Sequence, residues 1–197
     1  MMAAGRAAAC GATVLLLEKK DRLGLKLRIT GKGRCNLTNA TDMDDFVSHF
    51  GPNGRFLYRA FSRFFSTDLR AFFAARGVPT VVERGQRVFP VSNEARQIVD
   101  ALQQYLDENR VSIRYNTPVT RLLTKDRCII GVQTGTGQTL HTPCVVLATG
   151  GASYPLTGST GDGYRLAAEV GHRIVPIQPA LVPLETEEPW VAALQGL

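Results

Sequence analysis

Hydrophobic positions along the chain divide into short apolar runs, typical of strands, and longer segments with helical spacing. The runs at 14–17 and 145–148 carry no polar alternation, and such runs predict strands buried on both faces of an α/β sheet. An alanine-rich stretch at 1–9 precedes the first run and predicts a buried helix that ends at Gly11. Helix, glycine and buried strand in this order indicate part of a βαβ unit.

The middle of the chain predicts helices first and short strands afterwards. Residues 21–27 have the composition of a polar loop. Apolar residues recur at helical spacing over 56–73, with Ser66 as a candidate N-cap for a second helix and Gly77 as its terminator. A hairpin is expected at 80–91, and a helix from Ser92 or Asn93 to about Asn109. The remaining strands are predicted at 111–115, 119–123, 128–133 and 138–142, and the last three form a meander that leads into the run at 145–148.

Glycine-rich turns follow the second buried run. Gly150 and Gly151 end that run, and the stretch 158–163 opens a final helix that ends near Gly171. In open α/β sheets, ligands lie outside the carboxyl ends of the strands. Glycines there let the backbone approach a ligand, and a helix N-terminus favours anions. These turns therefore predict a site for phosphate or an electron-rich ring edge.

Two other stretches carry candidate chemistry. Glu18 ends the first apolar run, where an acid in a dinucleotide-binding βαβ unit accepts hydrogen bonds from the adenosine ribose. The alternative is a solvated carboxylate at a strand end. The stretch 28–39, Arg-Ile-Thr-Gly-Lys-Gly-Arg-Cys-Asn-Leu-Thr-Asn, offers donors to an anion or a heteroaromatic edge. It equally has the composition of a surface turn.

Composition narrows the class of protein. The 197 residues are 44% hydrophobic and 20% charged, as in an ordinary globular protein. Four scattered cysteines without ligand spacing argue against zinc and a secreted disulfide framework, and favour a reduced cytoplasm. No apolar run reaches the roughly 20 residues of a membrane span.

The net charge of +6 leaves two interpretations of the basic residues. The basic residues could bind nucleic acid, or they could bind an anionic cofactor or substrate. The charges are spread along the chain without a basic block, which argues against nucleic acid. Nucleic acid is therefore not the expected partner. Three arginines lie four residues apart, at Arg55, Arg59 and Arg63, which predicts a solvated helix face. The alternative is a surface that binds a substrate or partner.

Three longer strings resemble a bacterial flavoprotein family of NAD(P)/FAD-dependent oxidoreductases, which includes 3-dehydro-bile-acid reductases and aminoacetone oxidases. They are Ile-Thr-Gly-Lys-Gly-Arg-Cys-Asn-Leu-Thr-Asn at 29–39, Arg-Val-Phe-Pro-Val-Ser at 87–92 and Ala-Thr-Gly-Gly-Ala-Ser-Tyr-Pro-Leu-Thr-Gly-Ser-Thr-Gly-Asp-Gly at 148–163. The resemblance covers nearly the whole chain. It implies an α/β, FAD-binding, Rossmann-like three-layer sandwich of the glutathione-reductase type, with a β-meander.

The resemblance also implies cofactor contacts at particular positions. Glu18 would hold the adenosine ribose, and the backbone of Val119 would meet the adenine. The remaining expected FAD contacts lie in three groups: Gly31, Arg34, Cys35 and Asn36; Ala148, Thr149, Gly150 and Gly151; and Thr160, Gly161 and Asp162. Lys32 stands where the family often has a third glycine, and Cys35 reads as buried packing rather than as a redox thiol, since it lacks a second cysteine nearby.

Family members are about twice as long, which predicts truncation at both ends. Residues 1–175 would form an FAD-binding domain without its first strand and glycine-rich turn, and residues 176–197 would begin a second, substrate domain. The expected activity is a flavin reduced by NAD(P)H that passes hydride to a small organic acceptor such as an enone. The alternative is a flavoprotein that binds nucleic acid or takes part in RNA modification. No catalytic acid or base stands out, and no oligomeric state is indicated.

Overall fold

The computed structural model describes residues 1–179, 187–188 and 190–191. Its helices alternate with short strands, as the hydrophobic pattern predicts. The α-helices are α1 (Met2–Ala9), α2 (Leu25–Ile29), α3 (Met43–Ser48), α4 (Tyr58–Phe61), α5 (Ser66–Ala74), α6 (Ala95–Glu108) and α7 (Asp162–Glu169). Short 3₁₀ turns cover Thr30–Gly33, Gly51–Leu57, Arg84–Gln86 and Pro155–Thr157.

The strands form three small sheets. They are β1 (Leu15–Leu17), β2 (Thr38–Asn39), β3 (Thr80–Glu83), β4 (Arg87–Pro90), β5 (Ser112–Arg114), β6 (Val119–Lys125), β7 (Cys128–Thr134) and β8 (Thr139–His141). β1 pairs with β5 in parallel, whereas β2-β4-β3 and β6-β7-β8 are antiparallel. The second antiparallel sheet is the predicted meander, and β3 and β4 are the predicted hairpin.

Helix α6 is the centre of the described core. Its inward stripe of Ile98, Leu102 and Leu106 is buried at helical spacing. Near the amino end of α6, the stripe packs with Cys35 and α5. Near its carboxyl end, Leu106 packs in a cluster that includes residues of α1, β1 and β5. One amphipathic helix therefore connects the parallel strand pair to the hairpin region.

The contact between α1 and α6 depends on a glycine. Gly5 is buried, and a Cβ built on it would lie 2.4 Å from Cε1 of Tyr105. The Tyr105 ring cannot move away freely, because Phe72 packs edge-on against it at 5.0 Å and the Arg76 guanidinium lies 4.6 Å from its centre. The alanine-rich helix predicted at 1–9 is thus present, and its close approach requires this glycine.

The predicted strand at 145–148 is not formed. Residues 144–150 have no regular secondary structure, and Val146 and Leu147 are 70% and 39% exposed. A strand requires a hydrogen-bonded neighbour. Within the described residues, nothing pairs with this segment, and β1 pairs only with β5. The apolar run is therefore unpaired among the described residues, and the prediction of a strand buried on both faces is wrong for this structure.

Smaller corrections concern segments where local sequence and packing disagree. The predicted loop at 21–27 contains the start of α2. The helical pattern at 56–73 is split into a 3₁₀ turn, α4 and α5, because Phe65 is extended and its N–H bonds the Asp68 carboxylate at the start of α5. Residues 172–179, which follow α7, form no strand. Most of the expected second domain at 176–197 lies outside the described residues.

Within the described ranges, no helix combines the length and apolar character needed to cross a bilayer.

We predict that Gly5→Ala lowers the free energy of unfolding by about 1–3 kcal/mol, the usual effect of overpacking. In an open helix the same change would stabilise by roughly 0.5–1 kcal/mol, so the sign tests the contact with Tyr105. Urea unfolding followed by circular dichroism measures it.

The control is Gly5→Ala combined with Tyr105→Leu, which removes the ring. The alanine should be less destabilising in that background than in the wild type. Equal effects in both backgrounds would show that Tyr105 is not the obstacle.

Candidate functional site

The candidate site is the edge of the domain at the carboxyl end of β1. Glu18 directly follows β1 and continues its pairing, since its N–H donates to the Arg114 carbonyl at 2.9 Å. Its side chain is half-buried and accepts a hydrogen bond from the Lys20 N–H at 2.9 Å. The Met1 amino group, at the start of α1, interacts electrostatically with Glu18. The carboxylate therefore lies at the end of β1 that faces the start of α1, as the βαβ pattern predicts.

The segment leading to Val119 is held beside the end of β1. The Thr117 N–H donates to the Glu18 carbonyl at 2.9 Å, and the Asn116 N–H donates to the Lys20 carbonyl at 2.9 Å. Val119 begins β6 two residues after Thr117 and is half-buried. The structure thus brings the predicted adenine contact close to the predicted ribose contact.

The two glycine-rich turns pack against each other. The Gly161 N–H donates to the Gly151 carbonyl at 3.1 Å. A Cβ built on Gly163 would lie 2.4 Å from Oγ1 of Thr149, so only glycine fits this contact. Gly150 has φ +77° and is exposed, and only the Ser159 hydroxyl lies near its missing Cβ, at 3.6 Å. The predicted residues at 149–151 and 160–162 therefore form one surface.

Lys19 connects this surface to the end of β1. Its Nζ lies 2.6 Å from Oδ2 of Asp162 and also donates to the Thr160 hydroxyl. Both side chains of the ion pair are half-buried. Gly158 leaves room for the lysine stem, since a Cβ there would lie 3.2 Å from Cε of Lys19. The contacts span more than 140 residues of sequence. Lys19 is not among the residues predicted from the sequence. Its position directly after Glu18, the predicted ribose contact, is the sequence feature that could have indicated it.

The ion pair changes the acidity of Asp162. The hydrogen bond from Lys19 holds the pKa of this carboxyl below its ordinary value of 3.8, against an opposing effect of burial. The carboxylate is therefore charged at neutral pH at the first turn of α7. A negative side chain there is favoured by the helix dipole.

The stretch 28–39 runs from the end of α2 through a turn with a left-handed backbone to β2. Gly31 has φ +56° and Lys32 has φ +56°. A Cβ on Gly31 would lie 2.9 Å from the Asn36 backbone nitrogen, so this position requires glycine. Lys32 occupies a conformation that glycine adopts more easily, which gives a physical reason for the glycine expected there by resemblance.

The polar residues of this turn have separate environments. Arg34 forms an ion pair with Glu83, donates to Oδ1 of Asn93 at 2.7 Å, and lies 4.0 Å above the Phe89 ring. Cys35 is fully buried in the core beside α5 and α6, in agreement with its interpretation as a packing residue. Burial raises the pKa of its thiol. Asn36 is exposed. Of the four residues predicted here, Arg34 is engaged by Glu83 and Asn93, and Cys35 is buried. Within the described chain, only Gly31 and Asn36 of the four are exposed and able to contact a ligand.

A second lysine links this turn to the glycine-rich surface. Lys26, in α2, donates to the Ser153 hydroxyl at 3.3 Å, and its Nζ lies 3.4 Å from the centre of the Tyr154 ring. Lys26, Ser153 and Tyr154 were not selected from the sequence. Their contact places α2, one turn before Gly31, against the loop that joins the two glycine-rich turns.

The exposed groups fit the adenosine and pyrophosphate portions of FAD. Within the described chain, the N–H groups of residues 145–150 make no backbone hydrogen bond, so they are free to donate to phosphate oxygens or ring nitrogens. Glu18 supplies the acceptor that a ribose requires. Glycine at 150 leaves open space for the ligand. FAD supplies hydride-transfer chemistry where it is bound.

The parallel β1-β5 pair, the helix α1 that precedes β1 and the acid at the strand end are features of a Rossmann-like domain. The family described as "HI0933-like protein Rossmann domain" matches residues 1–186, and the chain belongs to this family. It is an FAD-binding, oxidoreductase-like domain of mixed α/β content. The finer assignment to the glutathione-reductase type remains a prediction from the sequence.

Three curated relatives are similar over nearly the whole chain. The 3-dehydro-bile acid delta(4,6)-reductase of Clostridium scindens is 34% identical over 94% of this chain and 44% of that protein. The ribosomal RNA dihydrouridine synthases of Escherichia coli and Haemophilus influenzae are 28% and 27% identical over 100% of this chain and 48% and 49% of their own lengths. The chain therefore spans about half the length of the curated relatives it matches.

We predict that Lys19→Met raises the pKa of Asp162 toward its ordinary value. In the folded wild type the pair contributes to stability above that value, and the contribution is lost as pH falls through the lowered pKa. Carboxyl NMR titration of Asp162 gives the direct measurement. Lys125→Met, a change at an exposed lysine of β6, should leave the titration unchanged, and an unshifted Asp162 in Lys19→Met would contradict the ion pair.

Cys35 should not react with a thiol reagent in the native protein, because it is buried and its thiol pKa is raised. The exposed cysteines Cys10, Cys128 and Cys144 should react quickly. Mass mapping after brief labelling, with and without urea, distinguishes the sites. Rapid native labelling of Cys35 would show that its packing opens readily.

Proposed function

We propose that the protein is an FAD-dependent reductase in which NAD(P)H reduces the flavin and a small organic acceptor such as an enone receives the hydride. The observation that carries the proposal is that Lys19, the neighbour of Glu18 at the carboxyl end of β1, binds Thr160 and Asp162 of the second glycine-rich turn, which itself bonds to Gly151. A cytoplasmic location accords with this chemistry.

The relatives support the reaction class. A delta(4,6)-reductase and a dihydrouridine synthase are both named for adding hydrogen to a carbon–carbon double bond. Both named reactions reduce a double bond conjugated to a carbonyl group. The substrates, a bile acid and a ribosomal RNA, differ greatly in size. The relatives therefore support the proposed class of reaction and do not favour either substrate.

The chain's residues have binding and positioning roles in this proposal. Glu18 accepts hydrogen bonds from the adenosine ribose, and the backbone beside Val119 meets the adenine. The free N–H groups around Gly150 bind the dinucleotide, while the Lys19–Asp162 pair holds the second turn in place. Asn36 and Gly31 are the exposed groups of the other turn that face a bound cofactor.

A second candidate is reduction of a base in RNA. The two relatives named ribosomal RNA dihydrouridine synthase match the full length of this chain. The net charge of +6 is compatible with a polyanionic substrate. This candidate keeps the flavin chemistry and replaces the small acceptor with a uridine.

The test is flavin binding and reduction in the protein expressed from its complete gene. Glu18→Ala should weaken FAD binding about tenfold to a hundredfold, because charge-assisted hydrogen bonds to the ribose contribute roughly 1.5–3 kcal/mol. Asp107→Ala removes an exposed carboxylate near the carboxyl end of α6 and serves as the matched control. Calorimetric titration of the apoprotein with FAD gives both affinities.

Turnover separates the two candidates. Oxidation of NADH or NADPH that accelerates with a small enone supports the leading proposal, and acceleration by a uridine-containing RNA alone supports the second. A well-folded protein that binds no FAD, or a bound flavin that neither nucleotide reduces, would overturn the proposed function. Unchanged FAD affinity in Glu18→Ala would assign Glu18 to an ordinary strand end.

A further inference from the structure

The segment 50–64, which leads from the end of α3 to the start of α5, carries exposed phenylalanines interspersed with arginines. Phe50, Phe56 and Phe64 are 50%, 87% and 42% exposed. Arg55, Arg59 and Arg63 alternate with them along 50–64, and all three are exposed. We call these six residues the Phe–Arg surface. The three exposed rings are unusual for a segment that packs no further described element over them.

The Phe–Arg surface stands on a rigid aromatic base. The Phe46 ring packs edge-on against the Phe61 and Phe65 rings, with centres 5.3 Å apart in both pairs. Phe50 joins this base at 5.7 Å from Phe46. The turn between α3 and α4 is tight, because a Cβ on Gly54 would lie 2.3 Å from the Val47 carbonyl oxygen. The exposed rings are thus presented by an ordered scaffold rather than by a loose loop.

The arginines of this surface are available to an external anion. In the part of the chain that the structure describes, Arg55, Arg59 and Arg63 form no ion pair. The nearby acids of α3 have partners of their own. The Asp44 carboxylate accepts from the Tyr58 hydroxyl at 2.6 Å, and the Asp45 carboxylate accepts from the Thr41 hydroxyl at 2.6 Å.

We propose that the Phe–Arg surface binds single-stranded RNA. Exposed aromatic rings stack on unpaired bases, and interspersed arginines contact phosphates, which is the usual combination in proteins that bind single strands. A duplex offers no free base faces and would lose the stacking. None of the six residues contacts Glu18, Lys19 or the glycine-rich turns among the described contacts. The inference rests on the second candidate function and concerns how an RNA is held, not how flavin is bound.

The test measures binding of a fluorescein-labelled 12-residue oligouridylate by anisotropy over a series of KCl concentrations. Phe56→Ala should weaken binding about 5- to 150-fold, the loss of one base–aromatic stack. The triple variant Arg55→Gln, Arg59→Gln, Arg63→Gln should reduce the slope of log affinity against log salt by about 2, since each phosphate contact on a single strand contributes roughly 0.7. Phe56→Leu, which keeps an apolar side chain, should behave like Phe56→Ala.

The matched control removes the same charge elsewhere, at three exposed basic residues: Arg84→Gln, Lys125→Gln and Arg173→Gln. Equal loss of slope in the control and in the arginine variant would overturn the proposal, because the binding would then be general electrostatics. Tight binding of an oligouridylate–oligoadenylate duplex, or equal competition by polyglutamate with no effect of Phe56→Ala, would also overturn it. The last result would indicate an acidic protein partner.

Flavin content and NAD(P)H oxidation with a small enone are measured on the same variants. Unchanged values with lost RNA binding support the proposed surface. Unchanged values with intact RNA binding overturn it while leaving the proposed flavin function standing. If flavin is absent from the wild type and from every variant, the proposed flavin function fails. The RNA affinities are measured separately, so that result does not decide whether the Phe–Arg surface binds RNA.

Discussion

The parallel pairing of β1 with β5 is the constraint on which the candidate site depends. Its hydrogen bonds continue past the strands through Glu18 and Thr117, so the Glu18 carboxylate and the start of β6 are held at one edge. A parallel pair cannot close through a short turn. The crossing chain between β1 and β5 must therefore supply its own packing, and α6 does this with a buried stripe that contacts both ends of the crossover.

The second half of the site is attached by side chains rather than by a sheet. The segment 144–150 has no strand partner among the described residues, and the N–H groups of 145–150 make no backbone hydrogen bond there. Lys19 and Lys26 instead tie the glycine-rich loop to the β1 edge and to α2. Such contacts are few and partly exposed, so this loop belongs to the less stable part of the domain. A bound dinucleotide would add contacts where the structure has the fewest.

Within the stretch 28–39, some residues pack into the protein and others remain exposed to a ligand. Cys35 points into the core and Arg34 is engaged by Glu83, Asn93 and Phe89, whereas Gly31 and Asn36 remain open to a ligand. The left-handed backbone at Gly31 and Lys32 makes this division possible, because it reverses the chain between the core-facing and solvent-facing residues. A motif rich in polar residues therefore contributes fewer free groups than its composition indicates.

The sequence by itself determined the elements with strong local signals. The helix at 1–9, the strand ending at Glu18, the hairpin, α6 and the meander follow from periodicity and turn chemistry. The sharp turns at Gly150 and Gly161, where the backbone is left-handed, follow from glycine at those positions. Three features could not be predicted in this way. The apolar run at 145–148 is not a strand, because strand formation depends on a neighbour and not on hydrophobicity alone. Lys19 and Lys26 acquire their roles from partners more than 120 residues away. Arg34 is committed to an ion pair that only the packing of β3 beside the turn creates, since a charge pattern along the chain does not specify which partner lies across a tertiary contact.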